Sequence, residues 1–590
     1  MWRDKNIIGW CNNCNVPILD AKRCGICGRQ SVKLNLRFKG EVRPLFPVEK
    51  EKIKRIIYEY FSDSLFSELS EDSLWFFNET SRTEFKGDII IDGKVLFEIY
   101  YDALKRSWRI KPYRDLLRYA NPQKRVIYIH EFLSPSLREC KGVYASWIKE
   151  VASPSLLNEY VIIDAGDVKG IGKVVSNSLT KDNNKRVVEV IDSVFIDKKD
   201  RLKGTYLKEV IESNSYILEE KERQAISKIE NTLKKLNLPL IVSFSGGKDS
   251  SVVANICLEY DPSIPIVFLD TGIEFPETIR YVEHFAKELH VEDNLVKIKS
   301  SSNFFELWKI FGPPSRSLRW CCKTQKFAPM NKFITTNYPT GVLSVLAVRK
   351  HESLFRSRSS LIEKNRWIRK QALFYPIKDW GLLDVWLYIF WKKLPYNELY
   401  ELGIPRVGCW PCPFQSQYIF NTMETTHPHL IHTLYTHLLK WAAKHGFSKK
   451  WVTSGEWRLR NNGVTREEIG HAEPCIEGKP MIHLVIPANF GKRILRLLPI
   501  LTNRFEGHFI DGKYVICIPT KTPRKKLKTL LEKAINCQRC GLCVEVCPYR
   551  ALQLGEEGIY VDVSRCQRCY ACLEESCIVS NYSLKRVIVM

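Results

Sequence analysis

Between Asp88 and Tyr101 the chain reads DIIIDGKVLFEIYY, two apolar runs either side of Asp92-Gly93, a pattern that predicts a β-hairpin with a two-residue turn. RVVEVIDSVFI, further on, is a second β-rich run. Such stretches fill the chain from about Arg37 to Glu222 and predict an accessory mixed α/β domain. From Glu219 to Leu236 the period becomes helical, and a charged amphipathic helix is expected to open the next domain. The apolar run LPLIVSF then meets a glycine turn and the helical stretch KDSSVVANICLEY, and a further apolar strand, PIVFLD, follows. Strands that alternate with helices predict a parallel sheet of the α/β class. The most apolar stretch, Ile482 to Leu501, is broken by Lys492, Arg493 and Arg496, so no membrane span is predicted.

A chain of 590 residues outgrows a single hydrophobic core. Five segments are expected: a ribbon at 1–36, the accessory domain at 37–222, an α/β nucleotide domain at 223–425, its extension at 426–530 and a small cysteine-rich domain at 531–590. An apolar fraction of 45% with 26% charged residues is that of a folded globular protein and argues against disorder. The opening MWRDKNIIGW carries no secretion pattern, so a cytoplasmic location is expected. In a reducing compartment, 20 cysteines are better explained by metal ligation than by disulfides. The formal charge of +24 attracts polyanions, which could be a nucleotide, an acidic low-potential electron donor or RNA. Charge alone does not choose among them, because the basic runs at Arg349 to Lys370 and Lys521 to Lys528 also suit a solvated face.

Cysteine spacing carries most of the chemistry. Cys11, Cys14, Cys24 and Cys27 form two CxxC pairs nine residues apart, the pattern of a zinc ribbon, with a rubredoxin-like iron site as the alternative. At the other end, Cys537, Cys540, Cys543 and Cys547 have the bacterial-ferredoxin spacing, and Cys566, Cys569, Cys572 and Cys577 nearly repeat it. Two 4Fe-4S clusters are expected, each held by three cysteines of one run and the fourth of the other. The second run has an extra residue before its last cysteine and lacks the following proline.

At the strand-to-helix junction stand Ser243, Ser245, Gly246, Gly247, Lys248, Asp249, Ser250 and Ser251. Glycines let backbone close on phosphate oxygens while the new helix points free N–H groups at them. SGGKDS after a strand resembles the PP-loop ATP pyrophosphatase superfamily. DTGIEFPET, with Asp270, Thr271, Gly272, Phe275, Pro276 and Glu277, then resembles its PAPS/APS reductase branch, as do VRKHESLFR and the DW…DVW…LPYN stretch before GCWPC. The resemblance covers about Leu238 to Phe414 and implies a nucleotide-sulfate reductase whose Arg349 and Arg356 contact phosphate or sulfate. It also implies a third 4Fe-4S site at Cys321, Cys322, Cys409 and Cys412, with Lys323 close enough to tune it.

Two departures keep a second reading open. The reductases usually lack the complete SGGKDS, and their nucleophilic ECGLH cysteine is missing here, which leaves Cys475 as the candidate nucleophile. The complete loop, the ribbon and a PUA-like resemblance in AGDVKGIGKVVSNS suit an ATP-dependent sulfurtransferase acting on RNA. The expected ligands are therefore an adenine nucleotide (PAPS, APS or ATP), three 4Fe-4S clusters and one Zn2+.

Overall fold

The computed structural model describes residues 6–590 apart from 38–40, 63–65, 67–68, 82–83, 103–104, 153–156, 177–184, 197–200, 301–302, 460–480, 511–512, 556–557, 575–587 and 590. In the ribbon, Ile8–Cys11 pairs antiparallel with Val16–Leu19 and with Val32–Lys33. The expected hairpin is present: Lys86–Ile91 pairs with Lys94–Asp102, and Asp92 and Gly93 both take positive φ, as this turn demands. It belongs to a five-stranded antiparallel sheet spanning Val42 to Pro112. A separate six-stranded sheet follows, built from strands between Val126 and Phe195 and including Arg186–Phe195. The stretch expected to be one accessory domain thus contains two sheets.

The helix after them starts earlier than its charge pattern suggested, running unbroken from Leu207 to Leu236, so the expected boundary at 222 falls inside it. Its buried stripe is Val210, Ser213, Asn214, Ile217, Leu218, Ala225, Ile229 and Thr232. Polar residues at two of the first positions disguise the helical period. They are buried because they bind the ribbon: Asn214 accepts from the Leu19 N–H at 2.9 Å and donates to the Pro17 carbonyl at 2.8 Å, and the Ser213 carbonyl accepts from the Gly25 N–H at 2.9 Å.

The nucleotide domain holds a six-stranded sheet in the order Leu295–Lys299, Ile266–Asp270, Leu240–Phe244, Val342–Val345, Gln371–Phe374, Ile362–Lys364. The first five run parallel and only the edge strand is antiparallel. Side chains of Leu240–Phe244 alternate between faces. Ile241 packs with Val267, Ile334, Val342 and Ile368, whereas Val242 and Phe244 join a larger core with Val252, Ile256 and Phe285. That larger core is continuous with Trp10 and Ile18 of the ribbon and with Ile217 of the long helix.

The C-terminal boundaries also move. Helices Gln417–Thr426 and Pro428–Lys444 pack through Tyr418, Ile419 and Leu434 into the core of the five-stranded sheet. Strands Met481–Pro487, Glu506–Ile510 and Lys513–Pro519 form another sheet, onto which the chain returns through Ile588–Val589. Its core merges Leu484, Ile494 and Leu530 with Cys543, Val546, Leu552, Ile559 and Leu573, so the expected division at 530/531 cuts one core in two. The physical reason is size: a cysteine-rich unit this short has too few apolar residues to bury a core of its own. Among the described residues, no helix is long and apolar enough to cross a membrane.

Candidate nucleotide and iron–sulfur site

Strand Leu240–Phe244 carries Ser243 and delivers Ser245, Gly246 and Gly247 to the N-terminus of helix Lys248–Tyr260. Gly246 has φ 70°, and a Cβ there would lie 2.8 Å from Thr278 Cγ2, so only glycine fits. The Ser250 hydroxyl accepts from the backbone N–H of Ser245 and of Gly247, each at 3.2 Å, and closes the loop on itself. Asn397 of the LPYN run donates to the Gly246 carbonyl at 3.2 Å, and Tyr400 accepts from the Lys248 N–H at 2.9 Å. The result is a rigid turn facing the positive end of a helix dipole, which suits anionic oxygens.

A chain of buried charges runs across this turn. Lys248 pairs with Asp249 at 2.9 Å, Asp249 with Arg349 Nε at 2.6 Å, and Arg349 Nη1 with Glu41 at 2.7 Å. Burial alone would push the Asp249 carboxyl up, but the Lys248 ammonium and Arg349 guanidinium outweigh it and hold it well below the usual carboxylate range. Arg349 therefore reaches the loop with two nitrogens committed to carboxylates. Arg356 is half-exposed and paired with Glu352, whose carboxylate also accepts from the Arg349 backbone N–H at 3.2 Å. The two arginines expected to work together are in different environments.

The second loop links nucleotide and metal chemistry. After strand Ile266–Asp270, Asp270 accepts from the Gly272 N–H at 2.9 Å and Glu274 accepts from the Thr271 N–H at 2.9 Å. Glu274 then forms a β-bridge to Cys409, and the Trp410 N–H donates to the Ile273 carbonyl at 3.0 Å. Cys409 Sγ lies 3.7 Å from Glu274 Oε1, and Arg319 donates to Cys322 Sγ at 3.5 Å. The four thiols Cys321, Cys322, Cys409 and Cys412 interact with one another, and the half-buried Lys326 ammonium stands among Cys409, Cys322 and Cys412, which raise its pKa. A hydrogen bond from Cys321, helped by Arg319 and Lys326, brings the Cys322 thiol down to about 5, whereas burial pushes Cys409 up to about 12. Four converging thiols flanked by two cations fit a group of net negative charge such as a cysteine-ligated 4Fe-4S cube.

Lys323, expected to tune that site, places its ammonium over the Trp367 ring at 4.5 Å. Lys326 is brought among the thiols because the π-helical turn Lys323–Phe327 that follows Cys322 carries the chain back toward the same side. Glu41 left no trace in the sequence, since its contact with Arg349 spans 308 positions. Cys475 and Cys577 lie outside the described residues.

The ribbon sulfurs all lie within 4.8 Å of one another. Tetrahedral zinc with Zn–S near 2.3 Å requires sulfurs about 3.8 Å apart, so the set fits Zn2+. The Arg29 N–H, on the far side of the Gly28 turn, brings the Cys27 thiol down to about 7 and favours the thiolate that a metal needs. At the other end, Cys547, Cys566, Cys569 and Cys572 line a single cavity with Ile500 and Leu552. This is the crossed set expected for one ferredoxin cube, three cysteines from one run and the fourth from the other.

Residues 239–415 match the phosphoadenosine phosphosulfate reductase domain, and residues 536–553 match the 4Fe-4S binding domain. An uncharacterized protein of Methanocaldococcus jannaschii is 33% identical over 77% of this chain and 96% of its own length. An adenosine 5'-phosphosulfate reductase of a Geobacillus species is 30% identical over 29% of this chain and 72% of that protein. The crystal structure of a phosphoadenylyl-sulfate reductase from Candida auris, in complex with phosphate, covers 33% of this chain and 94% of that one at 20% identity and a TM-score of 0.26.

Proposed function

Since the chain belongs to the phosphoadenosine phosphosulfate reductase family, we propose that it reduces an adenylyl-sulfate-type nucleotide with electrons supplied through its own ferredoxin unit. The observation that carries this reading is the direct tie between the nucleotide loop and the cysteine set, the Glu274–Cys409 bridge with Arg319 and Lys326 beside the thiols. The nucleotide's anionic oxygens meet the N-terminus of helix Lys248–Tyr260, and its sulfate reaches toward the two cations. Reduction delivers two electrons to the sulfur(VI) centre and breaks the S–O bond of the P–O–S bridge: the bridging oxygen leaves with the nucleoside phosphate, and the SO3 group is released as sulfite. The clusters supply one-electron redox capacity and local charge when bound. Cys475 is the candidate acceptor of sulfur.

A second reading, ATP-dependent sulfur transfer to RNA, is supported by one specific feature, the complete SGGKDS with its Lys248–Asp249 pair. Anaerobic binding and turnover with adenylyl sulfate, its 3'-phosphorylated form and ATP separate the two. The reductase reading expects sulfite release from a sulfonucleotide, with Asp249→Asn costing ATP binding more than sulfonucleotide binding. ATP binding with no sulfite from either sulfonucleotide would sink it.

A further inference from the structure

The ferredoxin unit carries two cysteine runs, and among the described residues it is the first that touches the helix leading from Cys321 and Cys322. Trp320–Cys322, the π-helical turn Lys323–Phe327 and Ala328–Asn337 follow one another without a break, so Cys322 and Ala328 are six residues apart on one continuous helical stretch. On this helix Asn331, 1% exposed, donates through Nδ2 to the Cys540 carbonyl at 2.5 Å, and the Thr335 hydroxyl donates to Glu545. Ala328 and Leu542 are buried against each other, with Cys540 and Trp367 packed on them. Trp367 in turn stacks on Phe327 at 6.2 Å between ring centroids. The other set, Cys547, Cys566, Cys569 and Cys572, faces Ile500, and Arg568 beside it donates to the Pro499 carbonyl at 3.4 Å.

We propose that helix Ala328–Asn337 is an internal docking face that holds the Cys537, Cys540 and Cys543 set, and not the Cys566 set, next to Cys321 and Cys322, with Asn331 as its positioning residue. A buried asparagine is a costly choice for a helix-to-loop contact unless its hydrogen bond selects one register. Here the register selected places the Cys540 loop over the stretch between Cys322 and Trp367. The set around Cys569, which is exposed, is left on the far side for an external one-electron donor. The functional direction, outer set to inner set to catalytic domain, rests on the proposed reductase activity, but the docking does not.

The test uses full-length protein reconstituted anaerobically with iron and sulfide, as wild type, as Asn331→Asp with Thr335→Val, and as the milder Thr335→Val alone. Hydrogen exchange of residues 328–337 and 537–547 is followed without substrate, and reoxidation of the dithionite-reduced protein is followed by stopped flow after adding adenylyl sulfate. The double variant is expected to keep its iron content, to lose exchange protection in both segments and to reoxidise about tenfold more slowly, with the single variant between. Unchanged protection in both segments, or loss of protection with reoxidation at the wild-type rate, overturns the proposal. A wild type that adenylyl sulfate does not reoxidise defeats the reductase reading instead, and the exchange result then decides the docking by itself.

Discussion

The ribbon and the cysteine set beside the nucleotide loop each bring four thiols together, and they differ in what surrounds them. Cys11, Cys14, Cys24 and Cys27 are mounted on turns of one short segment and are aided by backbone N–H groups, whereas Cys321, Cys322, Cys409 and Cys412 come from distant segments and are flanked by Arg319 and Lys326. The first arrangement suits a redox-inert ion that staples a fold. The second suits a group whose charge matters to a ligand beside it. Their packing differs in the same sense, because the ribbon shares a core with the long helix and the nucleotide sheet, so losing its metal should disturb what it is packed against.

The comparison breaks most sharply on metal loss. Cys11→Ser is expected to remove the zinc and most soluble protein with it, since binding of a structural zinc contributes about 10 kcal/mol or more to folding. Cys409→Ser should instead leave a soluble chain whose iron falls from about twelve to about eight per chain. Metal analysis with thermal melting checks both, and a stable, zinc-free Cys11→Ser protein would erase the distinction.

Charge around the Cys321, Cys322, Cys409 and Cys412 set comes next. Lys326→Met removes a half-buried cation from among the thiols and should lower turnover by about 100-fold, whereas Lys323→Met, on the face of Trp367, should change it less than about threefold. Equal effects in steady-state assays would mean that position, not charge, is what counts there.

The two arginines give a smaller contrast. Arg349→Ala leaves Asp249 and Glu41 facing each other without their shared cation and should cost about 3 kcal/mol of stability, together with about tenfold in nucleotide affinity. Arg356→Ala breaks a half-exposed pair and should cost less than about 1 kcal/mol. Denaturant melts and calorimetric titration read both quantities.

The last contrast is a pH dependence beside the same loop. Burial brings the His351 imidazole down to about 4 from 6.5. The unfolded chain thus binds this proton where the folded one does not. Stability from neutral His351 is present in full above pH 6.5 and is lost as pH falls from 6.5 toward 4, by about 3 kcal/mol. His351→Gln should flatten that part of the melting profile, and an unchanged slope would assign it to the carboxylates.

Much of this architecture was legible in advance, for reasons that differ by region. The hairpin at Asp92-Gly93, the strand and loop at Leu240 to Ser251 and the ribbon are local objects, each specified by residues a few positions apart. The long helix was half legible, because its C-terminal part is patterned by charge while Ser213 and Asn214 hide the period in its first turns. Lys326 could have been found by counting helical turns from Cys322. Glu41 could not, because no local pattern marks a carboxylate that meets its arginine across the whole nucleotide domain.

By itself the sequence determined the chemistry this chain can hold: a phosphate-cradling glycine turn, a four-thiol ribbon and ferredoxin-type cysteine spacings, all short-range patterns written into turns and helix starts. Only the tertiary structure decided how these parts are joined. It placed Glu41 against Arg349, bridged Glu274 to Cys409, merged the ferredoxin core with the 481–519 sheet and turned the Cys540 loop toward Asn331. Such contacts arise when apolar faces of separate segments are buried together, and burial is non-directional, so the polar pairs that end up facing each other depend on the packed arrangement as a whole.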